Sequence, residues 1–335
     1  MPFDNLSGIK TKKFNMGLFI LLTFLALLST MLIPGVGLLG AALLPVPASL
    51  LVIRGRIRDG IICAVAACLF LFLLGYILPP VIMAIIIATA FTHRHAVEKK
   101  WSAWKTICGV FFILAGAVLI YMLLYLIFYG PGSFSQISGI YNDYIEGMAE
   151  DPVFSSYAGT ILTDSSDFQA VLEQTRAVLR FIPRILPGIL VVSFALISAV
   201  NYMICSYIYK RNQIDIAPFR PFIAWDLPWY YVWGIIAGLV LVLIPEMGGS
   251  AGGQPAAADL AADITGYNLI IMFGALYTAL GISVLWGIFD RFKITFLIRV
   301  MVIVFMWFFF IIALLIFPLL GLIDIWANFR RLKRN

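Results

Sequence analysis

The sequence predicts an all-α fold, a polytopic integral membrane helical bundle of about eight or nine transmembrane helices with a small helical extracytoplasmic insertion. Three observations carry this. Of the 335 residues, 62% are hydrophobic and only 12% charged, and the mean hydropathy is +1.01, which leaves too little polar surface to cover a soluble globule. Apolar runs approaching the ~20 residues of a membrane-crossing helix recur along the chain. Basic residues sit in short segments between those runs, the pattern produced when cations are retained on the cytoplasmic side. The net charge of +6 therefore reads as membrane topology, and no basic stripe suggests nucleic acid.

Residues 1–129 form a first set of membrane helices. Lys10, Lys12 and Lys13 precede the apolar run 14–33, which reads as an uncleaved first helix with a cytoplasmic N-terminus, because it nears spanning length and many more runs follow. The next run, 38–53, contains Leu44-Pro45-Val46-Pro47 and should be kinked. Irregular backbone at membrane depth survives only where protein or a wet cavity covers it, so Pro45 and Pro47 mark a candidate site. Run 60–78 is followed by 81–92, about a dozen residues, which predicts a tilted or incomplete span. Small residues at spacing four (Gly60, Ala64 and Cys68; Ala84 and Ala88) favour close helix packing. Residues 93–105 read as a solvated basic loop, with His93 and His95 flanking Arg94 and with Trp101 and Trp104 as interface anchors. Run 106–129 is a full-length span.

Residues 130–180 form the acidic extracytoplasmic insertion. Asp143, Glu146, Glu150, Asp151, Asp164, Asp167 and Glu173 outnumber Arg176 and Arg180. Phe134, Ile137, Tyr141, Tyr144 and Met148 keep helical spacing, as do Phe168, Val171, Leu172, Thr175, Val178 and Leu179. Two amphipathic helices are expected, the second opened by a capping box at Ser166-Asp167-Phe168-Gln169. They read as a lid, a docking surface or a plain connector.

Residues 181–335 hold the remaining membrane helices, the cytoplasmic loop 209–229 and a basic tail. The span 180–208 is entered through Pro183, Arg184 and Pro187 and contains Asn201, whose amide suits interhelical hydrogen bonding. Residues 209–233 concentrate charge (Lys210, Arg211, Asp215, Arg220, Asp226), three prolines (Pro218, Pro221, Pro228) and three tryptophans (Trp225, Trp229, Trp233). Such a stretch is a cytoplasmic loop rising through the headgroup layer, its indoles at the interface. Gly234 and Gly238 give run 230–244 a GxxxG packing face, residues 245–265 form a Gly- and Ala-rich outer loop, and run 266–289 ends at Asp290, Arg291 and Lys293. The last run, 294–323, is too long for one straight crossing and cramped for two. Nine crossings would put Arg330, Arg331, Lys333 and Arg334 on the outer side, against the charge rule. Either Pro318 breaks this run into two partial spans, or one of the short segments 38–53 and 81–92 does not cross. Asp324 is expected at the interface, paired with Arg330 or Arg331, because a carboxylate at the bilayer centre costs ~2.5–3.5 kcal/mol.

Cys63, Cys68, Cys108 and Cys205 lie inside apolar runs without a CxxC pair and read as structural. No metal-ligand spacing, P-loop, HExxH or Gly-x-Ser-x-Gly occurs, so neither enzyme activity nor a cofactor is expected. Without a nucleotide site the chain cannot power ATP-driven transport alone.

Gly321-Leu322-Ile323-Asp324 followed by Asn328-Phe329-Arg330-Arg331 resembles the closing signature of the YybS-like bacterial membrane proteins, a family of unknown function. The Leu44 to Pro47 element, the Trp-x-Leu-Pro segment at Trp225 and Pro228, and the Asn268-Leu269 pair are similar to that family too. Asn328 stands where those proteins tend to have Asp. The resemblance implies the bacterial cytoplasmic membrane, with distant fold-level similarity to the S components of energy-coupling-factor transporters and to the rod-shape protein MreD. Two functions follow as expectations. One is an S-component-like transport subunit whose small-molecule ligand binds among the early spans. The other is a non-transporting scaffold that recruits a membrane or cytoplasmic protein partner through loop 209–229 and the tail. The candidate functional residues are Pro45, Pro47, Asn201, Arg220, Trp225, Asp226, Trp229, Asn268, Asp324, Asn328, Arg330 and Arg331, and membrane lipid is the one partner common to both readings.

Overall fold

The computed structural model describes residues 16–32, 37–76, 79–130, 132–147, 165–247 and 257–330. Regular structure among the described residues is entirely helical: α1 (Met16–Leu32), α2 (Gly37–Leu43), α3 (Val46–Ile53), α4 (Ile57–Leu73), α5 (Pro79–Glu98), α6 (Ala103–Tyr129), α7 (Ser133–Gly147), α8 (Ser165–Arg211), α9 (Val232–Met247), α10 (Ala257–Arg291), α11 (Phe296–Phe308) and α12 (Phe310–Ala327), with 3-10 turns at Phe222–Ala224 and Trp229–Tyr231. Four helices are long and apolar enough to cross a membrane: α5, α6, α8 from Gln169, and α10 from Ala258. A fifth is reached if the bent pair α11 and α12 counts as one span, and Met16–Leu32, Gly37–Ile53 and Trp229–Ile244 are shorter apolar helices. Among the described residues, four to five segments therefore meet the length and composition of a span, fewer than the sequence suggested, because several apolar runs are short or broken.

The helices form two compact units, one of residues 1–133 and 193–219, the other of residues 134–192 and 220–335. The first is built around α3. All eight of its residues are buried, as expected of a helix apolar on every side. Pro45 caps it and Pro47 lies in its first turn, where a missing amide hydrogen costs nothing. The expected kink is a true break, with α2 ending before the Leu44-Pro45 turn. Helix α4 approaches closely at Gly60, where an added Cβ would lie 2.6 Å from a Val52 methyl carbon and 3.2 Å from the Ala48 carbonyl. Phe19, Leu27, Leu51, Leu71, Ile86 and Tyr202 complete this core.

Two expectations for this unit are corrected. Residues 81–92 are not a short span: α5 starts at Pro79, uses that proline in its first turn and runs for 20 residues. It absorbs half of the supposed basic loop, so His93 is helical and fully buried. The charged neighbours Arg94 and Glu98 pair with each other on another face at 2.7 Å.

The second unit corrects two more. The second amphipathic helix and the following span are one helix, α8, of 47 residues with Pro183 and Pro187 inside it. The capping box at Ser166 and Gln169 was expected to open a separate helix; α8 begins at Ser165, and the Ser166 side chain lies outside the described residues. Ile145 of α7 and Leu172 of α8 are both buried, and Arg176 of α8 donates to the Ile145 carbonyl at 3.3 Å. Tyr141 donates to the Leu179 carbonyl at 2.6 Å, and Arg176 donates to the Glu146 carbonyl at 2.7 Å, occupying a free carbonyl at the α7 end.

The last apolar run breaks at Phe309 (φ −100°, ψ 45°), not at Pro318, which lies inside α12. The axes of α11 and α12 differ by 116°. Close approaches pair Gly281 with Phe317, Gly321 with Tyr277 and Gly287 with Arg330. Tyr277 and Gly281 cross Phe317 and Gly321, and farther along α10 Ser283 and Gly287 meet Arg330 beyond the end of α12, so α10 and α12 run parallel. Arg330, just beyond α12, therefore lies toward the end of α10 that carries Arg291 and Lys293.

Several helices end in a left-handed residue that lets the next amide close a wide loop. Gly55 (φ 78°) does this after α3, its amide bonding the Val52 carbonyl at 3.1 Å and that of Arg56 the Leu51 carbonyl at 3.0 Å. Gln213 (φ 60°) does the same after α8 without the freedom of glycine. Replacing Gln213 with Gly is expected to raise stability by about 0.5–1 kcal/mol, seen as a higher Tm in detergent; an unchanged or lower Tm contradicts it.

Candidate functional site

The first unit holds a buried polar cluster where α3, α5 and α8 meet. On α5, Ile86, Thr89, Ala90, His93 and Ala96 recur every three or four residues and form the buried face. On α8, Ser198, Asn201, Tyr202, Cys205 and Tyr209 do the same. Asn201 is the hinge of the cluster. Its amide nitrogen donates to the Ala42 carbonyl at 2.7 Å, beside the break at Leu44-Pro45. Its Oδ1 lies 2.9 Å from His93 Nε2. Because Oδ1 can only accept, Nε2 carries the proton, and the neutral ring presents a lone pair at Nδ1. The His93 ring is stacked on Tyr202, centroids 6.2 Å apart, and meets Tyr209 edge-on at 5.7 Å. Tyr202 donates to the Ala217 carbonyl at 2.6 Å, and Ser49 turns back onto the Pro45 carbonyl at 2.8 Å. On α5, His93 Nδ1 and Thr89 Oγ1 are buried with no hydrogen-bond partner among the described residues, as is the Tyr209 hydroxyl on α8.

His93 lies five residues before the end of α5, roughly 8 Å along the axis. Arg54 follows α3 and donates to Asn212 Oδ1 at 2.5 Å. Burial, and then the charge of Arg56, holds the Arg54 guanidinium below its ordinary pKa.

Replacing Asn201 with Leu is expected to strand both the Ala42 carbonyl and the His93 Nε2 hydrogen, at about 1–3 kcal/mol each. Thermal unfolding in detergent measures it. A Tm equal to that of the parent protein would mean that neither bond matters.

The second unit has two polar joints. Asn268 performs on α8 the service that Asn201 performs on α2. It accepts from the Gly188 amide and donates to the Arg184 carbonyl at 2.7 Å, in the turn that contains Pro187. The amide side chain stands in for backbone hydrogen bonding that proline disturbs, which is why the helix continues. The other joint is at the chain's end. Asn328 closes α12 in the left-handed conformation (φ 46°, ψ 52°), its amide bonding the Asp324 carbonyl at 2.9 Å. Asparagine tolerates that conformation, and the turn brings Arg330 back over the helix end. Arg330 Nη2 meets Asp324 Oδ2 at 2.8 Å, with the two side chains 1% and 0% exposed. Its Nη1 donates to the carbonyls of Ile223 (2.8 Å) and Trp225 (2.6 Å) and to Ser283 Oγ (2.8 Å), which itself donates to the Phe222 carbonyl at 2.6 Å. The tail is thus tied to the loop by one guanidinium.

The sequence-derived candidates therefore separate. Pro45, Pro47 and Asn201 belong to the first cluster. Trp225, Asp324, Asn328 and Arg330 meet in the second unit, and Asn268 lies apart from them on α10. Arg220 is exposed and contributes its carbonyl to Trp225 Nε1 at 3.3 Å. Asp226 and Trp229 are exposed, and Arg331 lies outside the described residues. His93 and Thr89 were missed. The signal for them was the spacing of Ile86, Thr89, Ala90 and His93, hidden by the neighbouring charges.

No curated protein and no solved structure matches the chain. The family model described as predicted membrane protein (DUF2232) matches residues 20–325, nearly all of the helical part just described. The chain belongs to that family of predicted membrane proteins.

Proposed function

We propose that this protein is a small-molecule-binding subunit of a transport system in the bacterial cytoplasmic membrane, related to the YybS-like proteins and similar in kind to the S components of energy-coupling-factor transporters. On this reading the apolar helices make eight or nine crossings and the N-terminus is cytoplasmic, as are the basic ends of α3, α5, α8, α10 and α12. One observation carries the reading: an uncharged, hydrogen-bonding cluster around His93 and Asn201, buried within helices of spanning composition and seated at a proline break. Polar and ionisable groups at membrane depth are costly and mark substrate paths, and broken helices line such sites. With no nucleotide site of its own, the chain depends on a separate energising partner.

The scaffold reading relied on loop 209–229 and the tail as a docking surface. There Arg330 is already occupied by Asp324, Ile223, Trp225 and Ser283, which supports a structural role for that region and leaves the transport reading ahead. The test is a thermal-stability screen of the full chain in mild detergent against a broad panel of vitamins and metabolites. A compound that raises Tm in the parent protein, but not in the variant His93→Phe, is the expected result. No stabilisation by any compound would overturn the proposal.

A further inference from the structure

Thr89 and His93 stand one turn apart on the same buried face of α5, both at 0% exposure. Residues four apart on a helix lie over one another, so the two orphaned atoms share one side of the helix. The other buried threonines among the described residues do not leave their hydroxyls idle: Thr23 donates to the Phe19 carbonyl at 2.9 Å and Thr106 to the Ser102 carbonyl at 3.2 Å. Half-buried Thr278 does likewise with the Gly274 carbonyl at 2.8 Å. Thr89 makes no such bond. His93 Nδ1 is equally unsatisfied, with its ring fixed by Asn201 and wedged against Tyr202 and Tyr209, so it cannot turn to find a partner. Each buried group of this kind destabilises the fold, and two adjacent ones that remain oriented are what a preorganised binding site requires.

We infer that His93 Nδ1 and Thr89 Oγ1 together bind the hydrogen-bond-donating group of an uncharged small molecule. This rests on the reading above and narrows its substrate class. The acceptor at Nδ1 demands a donor, an N–H or O–H, and the Thr89 hydroxyl supplies a second bond of either sense. Among the described residues, Asn201, Tyr202 and Tyr209 contact the His93 ring, and none of them is a carboxylate, ammonium or guanidinium. A charged ligand group would find no counter-ion there and would be desolvated without compensation. Water satisfies the same chemistry, so the experiment separates it from an organic ligand.

His93 and His95 are the two histidines of the chain, and His95 is exposed against Trp101, which makes it an internal control. The full chain, labelled with 15N-histidine in detergent, is mixed with matched neutral and anionic probes, nicotinamide against nicotinate and pyridoxine against pyridoxine phosphate, together with any hit of the metabolite screen. Neutral donors are expected to raise Tm and to shift the His93 Nδ1 resonance while leaving His95 unmoved. Thr89→Val is expected to raise the Tm of the ligand-free protein, because it removes an unsatisfied hydroxyl, and yet to weaken the neutral ligand about tenfold. Thr89→Ser should keep the affinity. Binding of the anionic members alone, or binding that leaves Nδ1 unmoved, overturns this inference and spares the transport reading. So does an Nδ1 already hydrogen-bonded in the ligand-free protein and displaced by no compound, which means water only. If no compound of either charge binds, both fail.

Discussion

Replacing Arg330 with Met is expected to destabilise the protein by about 3–5 kcal/mol, because it leaves the Asp324 carboxylate buried without its guanidinium. The two side chains are 0% and 1% exposed, so water cannot take over. The loss extends beyond the ion pair, since the same guanidinium holds the Ile223 and Trp225 carbonyls and Ser283. The double variant Arg330→Met with Asp324→Asn removes the stranded charge and should recover part of the loss, which separates the buried charge from the lost packing. Thermal unfolding of the three proteins in one detergent decides this. If Arg330→Met melts with the parent, the pair is not buried as described.

The second large effect is expected at Gly281. A side chain there would run into the backbone carbonyl of Phe317, and Gly321 on the facing helix similarly meets the Tyr277 carbonyl and the Gly281 amide. Backbone against backbone leaves nothing flexible to move aside, so Gly281→Val must separate α10 from α12. A loss of about 3 kcal/mol or more is expected, at or beyond the upper end for overpacking. Gly274 lies on the same helix with nothing near its missing side chain. There, Gly274→Ala should be neutral or stabilising by about 0.5–1 kcal/mol through helix propensity alone. Equal effects at the two sites would show that helix propensity, not the close approach, governs both.

This contact also explains how Pro318 sits inside α12. A proline costs a helix one amide hydrogen and pushes against the preceding turn. In α12 the turn beside it is held by glycines on both helices. The bend occurs instead at Phe309, where the exposed apolar stretch of Leu297, Met301, Phe305 and Phe308 ends. Arg299, at 17% side-chain exposure, reaches back from α11 to Asp290 at 2.6 Å and lies over Trp286, as a cation in an apolar helix must if it is to avoid the hydrocarbon.

Composition by itself placed the chain in a membrane, where the backbone is satisfied only by helices or a closed barrel, and continuous apolar runs approaching ~20 residues, about twice the length of a barrel strand, selected helices. Periodicity located most apolar runs, and the Leu-Pro-Val-Pro break was legible because proline's missing amide is a local property. Charge placement pointed to the ends of α3, α5, α8, α10 and α12. Tertiary structure decided what depended on a partner far along the chain. Whether Pro183 and Pro187 end a helix depends on Asn268, about eighty positions away. Whether His93 is a solvated loop residue or a buried acceptor depends on Asn201, and the fate of Arg330 depends on Asp324 and the Ile223 and Trp225 carbonyls. Each is a hydrogen bond whose worth is set by the burial that distant helices impose, and no local pattern encodes that burial.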